Sequence, residues 1–264
     1  MKISLLISTY NWEKALELCL LSVSGQTVLP DEIIIADDGS SPETGAMIES
    51  MKPRLNIPVL HVWHEDKGFR KTVILNKAVA RSTGDYIIQV DGDVLLSKNF
   101  IKDHKELMEK GYFVCGSRTK ISEKGSKKIM ERKNYGYIHL LDLELSHMPN
   151  CLRSKILRSF LSKRYGRDIG HQRGCNMAFW KEDFLKINGY DEDFIGWGHE
   201  DSDFSYRLHF SGVKKKFLKM GGTVFHLYHK ENSKSNESEN MAKFINTKTI
   251  RKKRCDNGVD KYLK

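Results

Sequence analysis

Residues 85–96 read DYIIQVDGDVLL: an apolar run that ends on two aspartates with one glycine between them, with apolar residues resuming at Val94. A short continuous apolar run bounded by turn residues reads as a strand covered on both faces, the kind found in parallel sheets. In extended chain, residues i and i+2 point the same way, so Asp91 and Asp93 can face one ligand. Gly92 between them lets a bulky group approach the backbone. Hard carboxylate oxygens suit Mg²⁺ or Mn²⁺, which can bridge a protein carboxylate to a diphosphate. Such a pair alone is often a solvated turn; at the end of a buried strand it marks a site.

The rhythm around this strand fixes its context. Strands are expected over 2–8, 31–37, 57–64, 85–91 and 112–117, and helices over 12–26, 41–51, 71–82 and 97–111, the last closed by Gly111. Ser41 before Pro42 reads as a helix cap. Apolar strands alternating with helices build βαβ units and a mostly parallel α/β sheet flanked by helices. Ligands bind outside the C-terminal strand ends of such sheets. The stretches STYN (8–11), DDGS (37–40), HED (64–66) and DGD (91–93) are therefore expected along one edge.

The chain has 264 residues, with 39% hydrophobic and 30% charged residues, the make-up of an ordinary globular protein. The net charge of +10 is uneven. Residues 118–173 hold 14 Lys/Arg against 5 Asp/Glu, and residues 241–264 hold 8 against 2, so the remainder nets −5. Local basic excess points to an anionic partner such as phosphates, nucleic acid or an acidic membrane surface, with a solvated face as the plain alternative. In residues 151–166, Leu152, Ile156, Leu157, Phe160 and Leu161 fall on one helical face with basic residues opposite. That face either packs on its own domain or lies on an anionic membrane. Beyond Lys230 the chain is polar and basic, expected to stay flexible until it docks. No apolar run approaches the roughly 18 residues of a membrane span, and the N-terminal run reads as a strand rather than a signal peptide. The five scattered cysteines, without a CxxC pair, read as free thiols of a reducing cytoplasm.

Three further stretches carry chemistry. In DDGS, a carboxylate can accept hydrogen bonds from a ribose or base, and Gly39 permits a tight turn. GWGHEDSDF (196–204) packs a tryptophan, two glycines, a histidine and acids together. Trp197 offers a flat apolar face to a sugar, and Glu200 and Asp201 sit at an expected helix start, where the dipole favours anions. Either that pair is a cap or one member takes a proton from an incoming hydroxyl. His226 and His229 follow the last apolar run, and either can supply a further metal ligand beside DGD.

The ordered set STYN, DDGS, EDKGFRKTVILNKA, DGD, GCNMAF, GWGHEDSDF and FHLYHKE resembles the family 2 glycosyltransferases of GT-A (Rossmann-like) fold. Within them it is similar to the chondroitin-polymerase-like N-acetylgalactosaminyltransferase domain, and GWGHED to the β-1,4-galactosyltransferase C-terminal motif. The resemblance covers residues 1–230. It implies that Thr9, Tyr10 and Asn11 line the nucleotide pocket, with Asp38 and Asp37 binding uridine. It implies that Lys71, Asn76 and Lys77 meet the nucleotide and diphosphate, and that Asn176 sits by the donor sugar. Asp91 and Asp93, with Gly92 between, would hold the diphosphate through Mn²⁺ or Mg²⁺; His229 of the YHxE stretch fits as a metal ligand, with His226 as its rival. Trp197, Gly198, Glu200 and Asp201 would form the acceptor side, with Asp201 as base. The polymerases have two transferase domains and one is read here, which implies addition of one sugar.

The expected division is a nucleotide-sugar half at 1–117, a basic helical insert at 118–170, an acceptor and catalytic half at 171–230 and a basic tail at 231–264. The expected activity is inverting transfer of one sugar of the Gal, GalNAc, GlcNAc or Glc class from a UDP-sugar. The acceptor is a glycan or lipid-linked glycan of bacterial surface polysaccharide or lipopolysaccharide. The expected location is the cytoplasm, peripheral on the inner membrane face, with no nucleic acid partner. A sugar nucleotidyltransferase would need a Gly-rich, Arg-bearing loop after the first strand, which STYNWEKA lacks. A nucleic-acid binder would need a recognition module, and none is readable. A non-catalytic sugar-binding protein would not need the full set of acids.

Overall fold

The structure, a computed structural model, describes residues 1–132, 138, 140–170, 172–230 and 235–263. Glu231, which completes the YHxE stretch, and parts of the basic insert and tail lie outside the described residues. The first half follows the expected alternation: β1 (Ile3–Thr9), α1 (Glu13–Ser24), β2 (Glu32–Asp37), α2 (Pro42–Leu55), β3 (Val59–Trp63), α3 (Lys71–Arg81) and β4 (Tyr86–Asp91). Next come β5 (Val94–Leu96), α4 (Phe100–Leu107), β6 (Tyr112–Gly116), β7 (Arg118–Lys120), α5 (Glu123–Arg132) and α6 (Lys155–Tyr165). The chain then forms β8 (Met177–Trp180), α7 (Lys181–Lys186), α8 (Glu200–Phe210), β9 (Lys214–Leu218), β10 (Val224–His226) and α9 (Glu237–Ile250).

A seven-stranded sheet runs in the order β3-β2-β1-β4-β8-β6-β9. All its pairings are parallel except the two made by β8, which is antiparallel to β4 and β6. Both faces are covered, as the continuous apolar strands require. Leu5, Ile7, Ile33, Ile35, Ile88 and Val90 pack against α1, α2 and α4. Leu6, Ile34 and Ile87 pack against α3 and α8. Parallel register sets Thr9 beside Asp37, Asp37 beside Trp63 and Ser8 beside Asp91, so the strand ends form one edge.

A second sheet, β5-β10-β7, explains the apolar residues behind DGD. Val94–Leu96 is a separate strand whose antiparallel partner brings His226 opposite Val94, and the Leu227 N–H donates to the Asp93 carbonyl at 2.9 Å. Residues far apart in sequence thus meet at the end of β4.

Four sequence expectations change. Helix α4 ends at Leu107 rather than at Gly111, because Lys216 Nζ takes the Leu107 carbonyl and the Trp180 Nε1–H takes that of Glu109, turning the chain outward. Ser41 holds the cap position of α2 without a side-chain capping bond; its own N–H donates to Asn11 Oδ1 at 2.8 Å. The basic tail beyond residue 234 is not a loose arm. Helix α9 packs on α8, Thr247 Oγ1 donates to the buried Asp203 at 2.7 Å, and Cys255 and Val259 are buried. On α6, the apolar residues face outward and Arg158 faces in.

Candidate active site

One cleft, about 1240 Å³, runs along the C-terminal strand ends. Its size exceeds an ordinary small-molecule pocket, enough for two substrates. Thr9, Tyr10, Asn11 and Asp38 line one part, Lys71, Asp91, Gly92 and Asp93 its floor, and Trp197, Glu200, Asp201, His226 and His229 the other part.

At the DGD turn the two aspartates do different work. Asp91 Oδ1 accepts from Ser8 Oγ at 2.7 Å and from Lys71 Nζ at 2.6 Å. Burial works against the Asp91 anion, but Lys71 and Ser8 hold its carboxyl below the usual range. Burial likewise opposes the Lys71 charge, and Asp91, Asp201 and Glu200 outweigh it, keeping the ammonium firmly protonated. Asp91 is thus an ion-pair partner of Lys71 and lies outside the cluster of candidate metal ligands that contains Asp93.

That group consists of Asp93, His226 and His229, whose ligand atoms lie within 4.8 Å of one another. Asp93 Oδ2 is 3.4 Å from His226 Nε2 and 3.3 Å from His229 Nε2. Two ligands about 2.1 Å from one ion at a right angle sit about 3 Å apart, so the spacing suits a shared cation. The Asp93 Oδ1 atom is buried with no partner among the described residues, and both histidines have their second nitrogen on a backbone carbonyl. His226 Nδ1 is 2.8 Å from the Leu227 oxygen and His229 Nδ1 2.7 Å from that of Lys230, so each ring turns its Nε2 toward Asp93. The donor set therefore fits a divalent ion, and both histidines belong to it.

Gly92 serves β1 more than a ligand: a Cβ there would sit 3.0 Å from the Ser8 carbonyl oxygen, and its N–H donates to that oxygen at 2.7 Å.

The acidic pair opens α8. Gly198 has φ +115 and His199 φ +67, so the chain enters the helix through a left-handed kink that the glycine takes without steric cost. Glu200 Oε2 accepts from the Gly198 N–H at 3.1 Å. Asp201 Oδ2 accepts from the Gly174 N–H at 2.7 Å and its Oδ1 from the Tyr190 hydroxyl at 3.4 Å. Burial and the neighbouring Asp201 push Glu200 up to about 7. Burial also raises Asp201, against the pull of Lys71. Behind Asp201 stands a buried relay, because Gln89 of β4 bonds Tyr190 at 2.9 Å. Gln89, Tyr190 and Gly174, and the cleft-lining Arg118 and Arg173, were not read as site residues. Gln89 alone carried a signal, a polar residue inside the apolar run of β4.

Five expected contacts fall elsewhere. Asp37 is buried and clasps its own turn, accepting from the Ser40 N–H at 2.8 Å and from His61 at 2.8 Å. Asp38 does face the cleft, held by His64 Nε2 at 2.7 Å and the Arg70 N–H at 2.9 Å. Lys77 Nζ lies 3.3 Å from His64 Nδ1, behind Asp38 rather than in the cleft. Asn76 is buried between Tyr190 and Glu192, its Nδ2 donating to the Tyr190 carbonyl and to Glu192 Oε1, both at 2.9 Å. Gly198 shapes the kink and does not line the cleft.

Asn176 is the fifth. It is fully buried, donates to the carbonyls of Ser117 and Gly222 at 2.8 Å, and accepts from His104, which burial pushes down to about 4 and keeps neutral. Asn176→Ala strands three buried groups, so the expected outcome is a stability loss of about 3 kcal/mol in urea unfolding. Unchanged stability with a raised donor KM would return Asn176 to the sugar site.

Known proteins share this architecture. GalNAc-T7, solved with UDP, GalNAc and Mn²⁺, superposes with a TM-score of 0.66 at 16% identity, over 94% of this chain and 48% of that one. S. aureus TarS 1–349 in complex with UDP-GlcNAc gives 0.63 at 16% identity, over 100% and 70%. These establish the GT-A fold. Among relatives, the chondroitin synthase of Escherichia coli is 24% identical over 262 residues, covering 91% of this chain and 36% of that protein. The validoxylamine A glucosyltransferase of Streptomyces hygroscopicus subsp. limoneus is 26% identical over 234 residues, covering 80% and 48%. The chain thus spans between a third and a half of the length of these relatives. The galactosyltransferase model described as an N-terminal domain matches residues 156–230, the stretch that carries the acidic pair and both histidines. The glycosyl transferase family 2 model matches residues 4–187, more than half of the sequence and all of its βαβ half, and the chain belongs to that family.

Proposed function

We propose that this chain transfers a single sugar of the Gal, GalNAc, GlcNAc or Glc class from a UDP-sugar to a glycan hydroxyl, with inversion at the anomeric carbon. The observation that carries this is the convergence in one cleft of an Asp–His–His ligand set and an anchored carboxylate, Asp201, with Asp38 and Thr9 at its far part. Relatives named as sugar-polymer synthases and glucosyltransferases, and neighbours solved with UDP, UDP-GlcNAc or Mn²⁺, support the donor class and the cation.

Asp38 accepts from the nucleoside and Thr9 packs beside it. Asp93, His226 and His229 would hold the cation; two imidazoles favour Mn²⁺ over the oxygen-seeking Mg²⁺. Bound there, the ion supplies positive charge against the diphosphate as it departs. Lys71 neutralises Asp91 beneath the site, so the floor does not repel that diphosphate. Trp197 gives the acceptor sugar an apolar face. Asp201 takes the proton of the acceptor hydroxyl as its oxygen bonds to the anomeric carbon and the bond from that carbon to the phosphate oxygen breaks, releasing UDP. The acceptor is a glycan or lipid-linked glycan of a bacterial surface polysaccharide or lipopolysaccharide, reached from the cytoplasm. Among the described residues no helix is long and apolar enough to cross a membrane.

The test is UDP release from a panel of UDP-sugars with Mn²⁺, Mg²⁺ or EDTA. Slow hydrolysis of one donor is expected with Mn²⁺, weaker with Mg²⁺ and lost in EDTA. No release from any donor, with no UDP binding by calorimetry, would overturn the reading.

A further inference from the structure

Helix α6 is built inside out. Its buried face is polar: Arg158, only 1% exposed, lies 3.0 Å from Asp103, pairs with Glu106 and donates to the Met220 carbonyl at 3.1 Å. Ser162 is buried beside it, and Gly166 sits so close to the edge strand β9 that a Cβ would clash with the Lys215 carbonyl. Apart from the half-buried Leu161, the apolar side chains are left facing outward. Ile156 is 83% exposed, Phe160 67%, Leu157 47%, and Leu152 just before the helix 58%. Ile156, Leu157 and Phe160 are at positions i, i+1 and i+4, so they adjoin on the helix surface. Apolar patches of this kind are uncommon on surfaces that meet only water.

The helix's own charge is of one sign, although Arg153, Lys155 and Lys163 reach Asp103, Glu106 and Glu109 of the neighbouring segment. Residues 151–167 contain no acid, and Arg153, Lys155, Lys163, Arg164 and Arg167 are exposed. Arg164 and Arg167 pair with no carboxylate among the described residues. Two copies meeting through this face would bring two such sets of cations together. An anionic bilayer satisfies both features, burying the apolar row at the acyl boundary and holding the basic rim at the headgroups. No residue of α6 lines the cleft, so this contact leaves the cleft open.

We propose that α6 is an interfacial helix that docks the chain on an anionic lipid bilayer through Ile156, Leu157 and Phe160. The proposal goes beyond the transfer reaction and stands independently of it. The test is co-sedimentation of the full chain with vesicles of phosphatidylcholine alone or mixed with phosphatidylglycerol. Binding to the anionic vesicles is expected to be at least about 10-fold tighter and to weaken with salt. Ile156→Glu with Phe160→Glu is expected to remove it, at an unchanged melting temperature because both side chains are already in water. Arg164→Glu with Arg167→Glu is expected to erase the preference for anionic lipid. Phe160→Trp supplies a reading that does not depend on the double variant folding: the emission of its introduced indole shifts to the blue on adding anionic vesicles. Equal or absent binding to both vesicles, or an indole emission of the Phe160→Trp variant that does not move, overturns the proposal. Self-association without lipid that Ile156→Glu abolishes would also overturn it, assigning the face to a second copy.

Discussion

Asp93→Ala is expected to lower UDP-sugar turnover on the order of 10³-fold. In the folded chain this side chain has one oxygen between two imidazoles and the other buried without a partner among the described residues. A carboxylate desolvated in this way gives little to stability; its return comes when a cation binds. The melting temperature without metal should therefore move little. The stabilisation that Mn²⁺ gives the wild type should disappear, together with the calorimetric signal for Mn²⁺ in the presence of UDP. His226→Ala and His229→Ala each remove one ligand and leave two, so they should raise the Mn²⁺ concentration needed and recover at high Mn²⁺. Asp91→Asn behaves differently, because it removes the partner of Lys71 rather than a ligand. Its loss should not respond to added Mn²⁺. If Asp91→Asn were rescued by Mn²⁺ and Asp93→Ala retained turnover, the two aspartates would have to exchange roles.

The sequence made the βαβ half readable because its strands are unbroken apolar runs, with Gly25 closing α1 and Pro42 opening α2. It also brought STYN, DDGS and DGD to one edge, because parallel strands all end on the same side. What it could not carry was side-chain direction at turns. Asp37 and Asp38 are consecutive, and only the parallel register with β1 and β3 decides that the first clasps its own turn and the second faces the cleft. Asn176 and Asn76 occupy motif positions yet point into the protein, and Gly174, two residues before Asn176, is the one that touches Asp201.

The second half was less legible for other reasons. Strand β9 reads KKKFL, and no alternation of polar and apolar residues marks it. Lys215 and Lys216 are nevertheless buried, their ammonium groups reaching backbone carbonyls at its rim. Helix α9 has five apolar residues among fourteen, and its anchors, Phe244 against His199 and Tyr206 and Thr247 on Asp203, are contacts that composition cannot show. The amphipathicity of α6 was visible, but its orientation was not. A basic face opposite an apolar one looks like an ordinary surface helix until Arg158 is seen to be matched by Asp103 and Glu106 beneath it.

Asp201→Asn is expected to lower kcat by about 10²–10⁴-fold while UDP binding persists. The choice of Asp201 over Glu200 rests on how the two are held. Asp201 is fixed by the Gly174 N–H and the Tyr190 hydroxyl, two groups from outside its helix that favour an anion at a set position, whereas the bonds to Glu200 come from its own turn, the Gly198 N–H and its own N–H. Two adjacent buried carboxyls do not ionise together easily, and the proton they share is lost in steps that belong to the pair. With Glu200 raised to about 7, the pair is fully anionic only above neutrality. Asp201, the base, is itself raised by burial, so in wild type kcat/KM should fall as its carboxyl protonates, above the ordinary carboxylate range. Glu200 is the member still protonated when Asp201 ionises, so Glu200→Gln should leave the acidic limb in place with activity largely retained. The opposite pattern, in which Glu200→Gln loses activity by orders of magnitude and Asp201→Asn keeps it, would make Glu200 the base and Asp201 the anchor of the Gln89–Tyr190 relay.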